Sequence, residues 1–505
     1  MPLWIFKSNL LKILSNYIGK IWNLISVFLF VPLYIHYLGV ENYAVIGLYS
    51  LILALISFAD AGMSSAVTKE FSFEGNKIYY KLNILKKLEV LYGGVLVIIF
   101  FIILASSSFI TKKWLSTDSI NFNDLRNYII LIGLGCSIQM IATLYSGAMF
   151  GLGKQVEANF YQIVWTTCKS LLVVLLFALI NSSLYIFFIW QIICNIFYIL
   201  LLRIHVMRSL SYGDIITPPN FERKIPNHVL KYIGGMTLVA IISAISSQID
   251  KLIVSYYYSL EIFGYYNVVS VLSQIPVFIA IPLASFMFPL LVKYKEDKLI
   301  FESIAKKFIF SLYLIIIPAA ILLMFYSIEF LDVWTKLNFS GRENTFKILS
   351  QSLIGGSLFL AMQFPFYYIL LANGKTKYTI IQGFFQLIIG VPLLLYFSSN
   401  YGIQYIGFSW LTINFLGFLF VSHICLKYYL KNIKGFYIWK TYIFIPFLIT
   451  LFISGFGYYF YDLMRFNFIF VSIISFILIF FINLFITNVV EGRGVFDVKY
   501  LYDFY

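Results

Sequence analysis

The chain has 505 residues, of which 61% are hydrophobic and only 11% are charged, and its net charge is +14 at pH 7. Soluble proteins carry about a quarter charged residues, so this composition excludes an ordinary soluble protein and indicates a membrane protein. The four cysteines lie inside apolar segments, and the four histidines form no ligand-spaced cluster. The sequence therefore predicts neither a bound metal ion nor a disulfide framework.

Long apolar segments recur along the whole chain, each close to the ~20 residues that a helix needs to cross ~30 Å of hydrocarbon. They are continuous rather than alternating, which favours helices over the strands of a barrel. The first is kept as a span because no small-residue cleavage pattern follows it. We predict an all-α polytopic protein with fourteen transmembrane helices, at 14–37, 42–66, 89–111, 128–150, 158–180, 183–204, 232–257, 263–291, 308–331, 346–371, 378–398, 405–426, 440–461 and 467–489.

The loop charges predict the orientation of these spans. Twenty-six of the 36 lysines and arginines lie on the side that holds both termini, and seven lie on the other side. Positively charged loops remain in the cytoplasm, so we expect both termini to be cytoplasmic. Topology and contact with anionic lipids then account for the net charge, and nucleic-acid binding is not needed to explain it.

An internal repeat relates the two halves of the chain. The pattern YIxFxWxxI occurs at 185–193 and again at 405–413, and Gly-Lys pairs stand at 153–154 and 374–375. Since each unit has six spans, we expect two parallel repeats related by an axis along the membrane normal. The predicted segments are a six-helix bundle (1–205), a cytoplasmic linker (206–231), a second six-helix bundle (232–427), two further helices (428–490) and a cytoplasmic tail (491–505).

Five ionisable side chains lie within predicted spans: Lys20, Asp60, Lys169, Asp250 and Lys251. Each is costly in hydrocarbon and needs water or a partner. Most have polar neighbours at helical spacing. These stripes are Asn16 and Asn23 beside Lys20, Asn159, Gln162 and Thr166 beside Lys169, and Ser243, Ser246 and Ser247 beside Asp250. We therefore predict a hydrated cleft between the bundles whose polar lining includes Asn23, Gln162, Ser247 and Gln274. A lysine-lined cavity suits an anionic substrate.

Simpler interpretations of these residues stay open. Lys20 is about two turns from the cytoplasmic end of its span and could reach the interface. Asp60 could be a structural acceptor between helices. Asp250 and Lys251 are adjacent, so a regular helix points them about 100° apart and only one can face the cleft.

Several segments resemble Wzx-type O-antigen and polysaccharide flippases of the multidrug/oligosaccharidyl-lipid/polysaccharide (MOP) exporter superfamily. They are PLY at 32–34, LGVENY at 38–43, ADAGMS at 59–64, QIDKLI at 248–253 and FGYY at 263–266. The resemblance covers essentially the whole chain. It implies V-shaped paired bundles like those of MATE transporters, with alternating access and no enzymatic activity.

The same resemblance implies a substrate and a location. The substrate would be an undecaprenyl-diphosphate-linked oligosaccharide, a repeat unit of O-antigen (for lipopolysaccharide) or capsule, moved across the bacterial inner membrane. No cofactor is implied beyond an H+ or Na+ gradient, used by antiport. Asp60, Asp250 and Lys251 lie in the resembling segments, whereas Lys20 and Lys169 are singled out only by their positions within spans. The three lysines would attract the diphosphate, and the two aspartates would serve coupling or line the cavity. Membrane lipids, a polysaccharide polymerase and a chain-length regulator are the expected partners.

Three alternatives remain. A lipid II flippase of the same superfamily has the same sequence features. A multidrug exporter is disfavoured by the lysine-biased interior and the two extra helices. A membrane polymerase, ligase or acyltransferase would need catalytic groups on a sizeable outward loop, whereas the loop at 112–127 is short and carries only Asp118 and Asp124 as acidic residues.

Overall fold

The computed structural model describes residues 3–73, 78–117, 119–210, 226–227, 229, 233–234, 247–337, 339, 341–430, 435–464 and 467–490. Within these ranges the chain is helical and has no regular β-strand. The described part contains 13 helices long and apolar enough to cross a membrane, which confirms the predicted all-α polytopic fold. They match thirteen of the predicted spans. The remaining one, 232–257, lies largely outside the described ranges, although residues 247–257 are helical and are named α7 below.

The first of two compact units comprises residues 1–267. The helix at its centre, α4, packs against α2, α3 and α6, while α5 packs against α1 and α6. The buried face of α4 contains many small residues, which let neighbouring helices approach closely. The helices are α1 (Leu3–Leu38), α2 (Val40–Ser72), α3 (Ile78–Phe109), α4 (Phe122–Gly151), α5 (Gln155–Leu179) and α6 (Leu184–Leu210), followed by α7 and most of α8 (Leu260–Ser273).

The second compact unit comprises residues 268–505. Its central helix, α12, packs against α9, α10 and α14, and α13 packs against α14. The packing of α12 on α9, α10 and α14 resembles that of α4 on α2, α3 and α6, as the predicted repeat requires. A counterpart of the α1–α5 pair would involve the span at 232–257, which lies largely outside the described ranges. Helices α16 and α17 pack on α10 in addition. The helices are α9 (Ile275–Lys293), α10 (Lys298–Phe325), α11 (Ser327–Thr335), α12 (Glu343–Ala372), α13 (Thr376–Asn400), α14 (Ile406–Tyr428), α15 (Gly435–Ile438), α16 (Ile445–Met464) and α17 (Phe468–Val490).

The repeated Gly-Lys pairs end equivalent helices in the same way. Gly153 has φ of 75° and Gly374 has φ of 68°, a left-handed conformation that glycine adopts without strain. The amide of Lys154 donates to the carbonyl of Met149, and that of Lys375 donates to Leu370, both at 2.9 Å. This is a Schellman C-cap in both units, so the repeat extends to the geometry of the turns.

Two predicted spans are interrupted in the structure. The span predicted at 263–291 is two helices, α8 and α9, that meet at Gln274, because Pro276 has no amide hydrogen and its ring obstructs the preceding turn. The span predicted at 308–331 ends at Phe325, and the short α11 begins at Ser327. Hydropathy is continuous across both positions. Residues Leu260–Lys293 still form one segment long and apolar enough to cross a membrane, so the predicted spans stand, and the sequence missed only the interruption at Gln274 and the end of α10 at Phe325.

The predicted segment boundaries are only partly covered by the described residues. Most of the linker at 206–231 and the whole tail at 491–505 lie outside them, and these boundaries stay predictions. Residues 247–267 are grouped with the first unit. Their contacts explain this grouping: the Trp114 indole donates to the Ser255 hydroxyl at 3.0 Å, and the Leu260 amide donates to the Ser116 carbonyl at 2.8 Å.

Candidate functional site

Lys169 lies in the middle of α5, inside the first unit, and is surrounded by neutral groups. Its ammonium is 3.4 Å from Gln139 Oε1 and 3.5 Å from the Tyr49 hydroxyl. It also lies 4.8 Å from the ring centre of Trp165 and 5.2 Å from that of Tyr49. Both distances are within the range of a cation–π interaction. Among the described residues no carboxylate contacts this lysine, so its charge is solvated by dipoles and rings but is not neutralised.

Gln139 organises the cluster from the central helix α4. Its side-chain oxygen accepts a 2.6 Å hydrogen bond from Tyr49 of α2 and a 3.4 Å bond from Asn195 of α6, besides the contact from Lys169. Asn195 is further held by its bond to the Gly135 carbonyl at 3.2 Å. Three donors from three helices thus converge on one acceptor. We name Tyr49, Gln139, Trp165, Lys169 and Asn195 the lysine cluster.

The aromatic part of the lysine cluster is also fixed by packing. Trp165 stacks on Tyr198 of α6, with ring centres 4.7 Å apart and planes 12° from parallel. The indole of Trp190 donates to the carbonyl of Cys168 at 3.2 Å, which ties α6 to α5 beside Lys169. The ring that faces the ammonium therefore has little freedom to turn away.

The polar stripes predicted on α1 and α5 largely bond to each other. Thr166 donates to Asn23 Oδ1 at 3.2 Å, and Asn159 donates to Asn16 Oδ1 at 2.5 Å. These four side chains therefore join α1 to α5. The prediction that they line a cleft was wrong, because they bond to each other. On the same two helices, Lys20 is exposed and Gln162 is half-buried.

Asp60 lies on α2 and is 5% exposed. The hydroxyl of Tyr92, on α3, donates to its carboxylate, and Thr143 of α4 is a second hydroxyl partner. No lysine or arginine contacts this carboxyl in the described part of the chain. Asp60 is thus a buried acidic group held by neutral donors from two neighbouring helices.

The residues predicted on α7 have separate partners. Asp250 accepts a 2.7 Å hydrogen bond from the Tyr266 hydroxyl, whereas Lys251 donates to Gln248 at 3.4 Å. Ser247 is exposed, and Gln248 donates to its hydroxyl at 3.5 Å. Ser243 and Ser246, which completed the predicted stripe, lie outside the described ranges. Within those ranges no contact joins any two of the three predicted lysines, Lys20, Lys169 and Lys251.

The described part of the second unit has no counterpart of Lys169. At the offset of 220, Tyr49 and Asn195 correspond to Val269 and Phe415, and at the offset of 221 that relates the Gly-Lys pairs, Lys169 corresponds to Gly390. Gln274 instead lies at the break between α8 and α9, where its amide is 3.5 Å from the Ser357 hydroxyl. Trp410 donates to the same hydroxyl at 3.3 Å, unlike Trp190, which bonds to a backbone carbonyl. The repeat therefore does not carry the lysine into the second unit, where Gln363 of α12 instead accepts from Gln382 of α13 and donates to the Asn414 carbonyl of α14 at 3.0 Å.

Four residues of the lysine cluster were missed from the sequence: Tyr49, Gln139, Trp165 and Asn195. Trp165 could have been found, because it precedes Lys169 by one helical turn. The other three lie on different helices, and single polar residues in apolar spans carry no pairing information. The described residues contain no group of three or more His, Cys, Asp and Glu side chains that could hold a metal ion.

Comparison with known sequences gives two matches. A family model described as "Polysaccharide biosynthesis protein" matches residues 37–335, which is more than half of the chain. A protein of Shigella flexneri described as a putative O-antigen transporter is 23% identical over 386 residues, which cover 74% of this chain and 87% of that protein. The sequence resemblance to polysaccharide flippases is thereby confirmed.

Comparison with solved structures supports the same fold. The lipid II flippase MurJ in an inward closed conformation matches with a TM-score of 0.68 and 16% identity, over 96% of this chain and all of MurJ. An inward-facing multidrug resistance MATE transporter of the MOP superfamily matches with a TM-score of 0.64 and 13% identity, over 82% of this chain and 96% of that one. At such identities the similarity establishes the fold of the MOP superfamily and not the substrate.

Proposed function

Because this chain belongs to the polysaccharide biosynthesis protein family, we propose that it is a flippase for an undecaprenyl-diphosphate-linked oligosaccharide in a bacterial inner membrane. The oligosaccharide would be a repeat unit of O-antigen or capsule. The single observation that carries the proposal is the ammonium of Lys169, whose described contacts are all neutral. A diphosphate is the part of such a substrate that would neutralise this charge.

The energetics of Lys169 favour a role in binding anions. Placing a lysine at the centre of a membrane helix costs about 2.5–3.5 kcal/mol on insertion scales. The dipoles and rings of the lysine cluster offset part of that cost, and an incoming diphosphate would offset more. Lysine acts as a point charge and does not demand bidentate geometry, which suits a headgroup that must also be released.

Ion coupling is assigned to Asp60 in this proposal. Its carboxyl is buried between α2, α3 and α4, and its described partners are hydroxyl groups. Such a carboxyl can take up H+ or Na+ without first breaking a salt bridge. We expect Asp60→Asn to assemble normally but to lose the stimulation of transport by an imposed ion gradient, whereas the matched change Asp124→Asn on the same unit should keep it.

The experiment that tests the function uses purified protein in liposomes that contain a fluorescent lipid-linked oligosaccharide. Translocation is read by quenching or enzymatic modification of the headgroups that reach the outer leaflet. We expect transport of the diphosphate-linked glycan, and much slower transport of a neutral glycolipid with the same sugars and of a cationic dye. Equal transport of the neutral glycolipid, or of the dye alone, would contradict the proposal. Faster transport of lipid II would reassign the substrate within the same superfamily.

A further inference from the structure

A second cationic feature lies in the other unit, where α14 ends and the final helices begin. An open groove of about 860 Å³ is lined by the C-terminal turns of α14 and by Gly435 and Trp439, which precede α16. Its walls are apolar, formed by Leu419, Phe420, Ile424, Leu426 and Trp439. Its volume lies within the range of ligand-binding cavities. None of the residues used to explain transport contributes to it.

Two polar side chains line this otherwise apolar groove. His423 and Lys427 are one helical turn apart, so they project from the same face of α14. Both are exposed, and no ion pair with a carboxylate is found for either within the described ranges. The Lys427 ammonium lies 5.4 Å from the ring centre of Tyr428. The groove thus combines the permanent positive charge of Lys427 and the hydrogen-bonding imidazole of His423 with apolar walls.

Lys427 and Trp439, which both line the groove, indicate its depth in the membrane. Lys427 is in the last turn of a transmembrane helix, at the end that the loop charges assign to the cytoplasm. Trp439 begins the next span, and its ring packs on Phe418 at 5.3 Å. Tryptophan and lysine at a helix end are typical of the level of lipid headgroups. The apolar walls then extend from this level toward the hydrocarbon.

We propose that this groove binds an anionic glycerophospholipid of the cytoplasmic leaflet. The phosphate would lie between Lys427 and His423, and an acyl chain would pack along Leu419, Phe420 and Ile424. A phosphodiester carries one negative charge, which matches the single permanent cation. Basic pockets between transmembrane helices on the cytoplasmic side are recognised sites for anionic headgroups. The lipid would join α14, the last repeated helix, to α16, the first additional one.

The test measures lipid binding to the whole purified protein by native mass spectrometry, together with its thermal unfolding. Phosphatidylglycerol should bind and raise the unfolding temperature, whereas phosphatidylcholine and soluble glycerol phosphate should do neither. We expect Lys427→Gln to weaken phosphatidylglycerol binding about fivefold, the effect of one interfacial lysine. Lys375→Gln removes the same charge from an exposed site on the same membrane side and should leave binding unchanged.

A second variant keeps the charge and fills the groove. A side chain at Gly435 would begin in ordinary contact with Leu426, 3.6 Å from Cδ1, so Gly435→Leu should fold and should also weaken phosphatidylglycerol binding. Equal binding of phosphatidylcholine, or unchanged phosphatidylglycerol binding in both groove variants, would overturn the proposal. Preferential binding of undecaprenyl phosphate would also overturn it. Transport assays are separate, so failure here leaves the flippase proposal standing.

Discussion

The described neighbours of Lys169 are Tyr49 on α2, Gln139 on α4 and Trp165 one turn earlier on α5. None of them carries a negative charge. Gln139 is the residue on which they converge, since it accepts from Tyr49 and Asn195 as well as from the lysine. If Gln139 is lost, a buried tyrosine hydroxyl and an ammonium lose their common acceptor. The position of Lys169 therefore depends on a neutral residue that does not itself carry the charge.

We expect Gln139→Leu to destabilise the protein by about 1–3 kcal/mol, the usual cost of leaving a buried polar group without its partner. The measurement is the thermal unfolding temperature of the purified variant in detergent. Gln162→Leu is the control, because Gln162 is half-buried on α5 and has no hydrogen bond within the described part. Equal unfolding temperatures for the two variants would show that Gln139 does not organise the cluster.

The sequence identifies the charged member of the cluster but not its surroundings. Lys169 is conspicuous because a lysine at mid-span is rare, and this needs no knowledge of packing. Tyr49 and Asn195 become relevant only when α2, α4 and α6 are brought together. The same limit explains why Asn16, Asn23 and Asn159 were assigned to a cleft: helical spacing shows which residues share a face, but not what covers that face.

At the scale of helices, close packing around α4 and α12 relies on glycine. A Cβ atom at Gly147 would lie 2.8 Å from the Ser64 carbonyl oxygen of α2. One at Gly356 would lie 2.9 Å from the backbone nitrogen of Leu411 in α14. Backbone atoms cannot move aside as a flexible side chain can. These two helices are therefore held at distances that only glycine allows.

Gly356→Ala should separate α12 from α14 and destabilise the protein by about 1–3 kcal/mol, the usual cost of overpacking. Gly383→Ala is the matched control, because nothing lies within 4 Å of its added Cβ on α13; it should be neutral or slightly stabilising. Thermal unfolding and the yield of monodisperse protein report the difference. A loss of stability in both variants would point to a general intolerance of alanine rather than to close helix packing.

Segment length and hydropathy predicted nearly all the spanning helices, because the ~30 Å hydrocarbon layer imposes a narrow range of lengths. They did not reveal the interruption of the helix at Gln274 or the end of α10 at Phe325, because apolar residues continue across both positions. Pro276 predicts a disturbance of the helix, but the sequence does not distinguish a kink from an interruption. The sequence predicted that the two units would pack alike, but not which helices contact each other within a unit.

At the scale of the whole molecule, the two units share their helix packing but differ in their interiors. The lysine cluster belongs to the first unit, while the second carries Val269, Gly390 and Phe415 at the corresponding positions. The two units thus share a scaffold, whereas the intramembrane lysine at this place belongs to the first unit. The orientation of that scaffold is a prediction from the loop charges.

Exposed residues within the described ranges test the orientation. In a cysteine-free background, Lys113→Cys should react with an impermeant thiol reagent added to intact spheroplasts, because its loop carries few positive charges. Lys154→Cys and Lys375→Cys should react only after the membrane is permeabilised. Lys113 and Lys375 are exposed and the Lys154 side chain is 43% exposed, so access by the reagent depends on the side of the membrane. Labelling of Lys154→Cys from outside would reverse the topology.

The most direct test of the central claim is transport of a lipid-linked oligosaccharide by Lys169 variants reconstituted at equal density. Lys169→Ala should lose nearly all transport, and Lys169→Arg should keep part of it, because the charge survives with different geometry. Lys154→Ala, an exposed lysine of the same unit paired with Glu157, should transport normally. If Lys169→Ala transports at the wild-type rate, the lysine is structural and attraction of the diphosphate by this cluster is refuted.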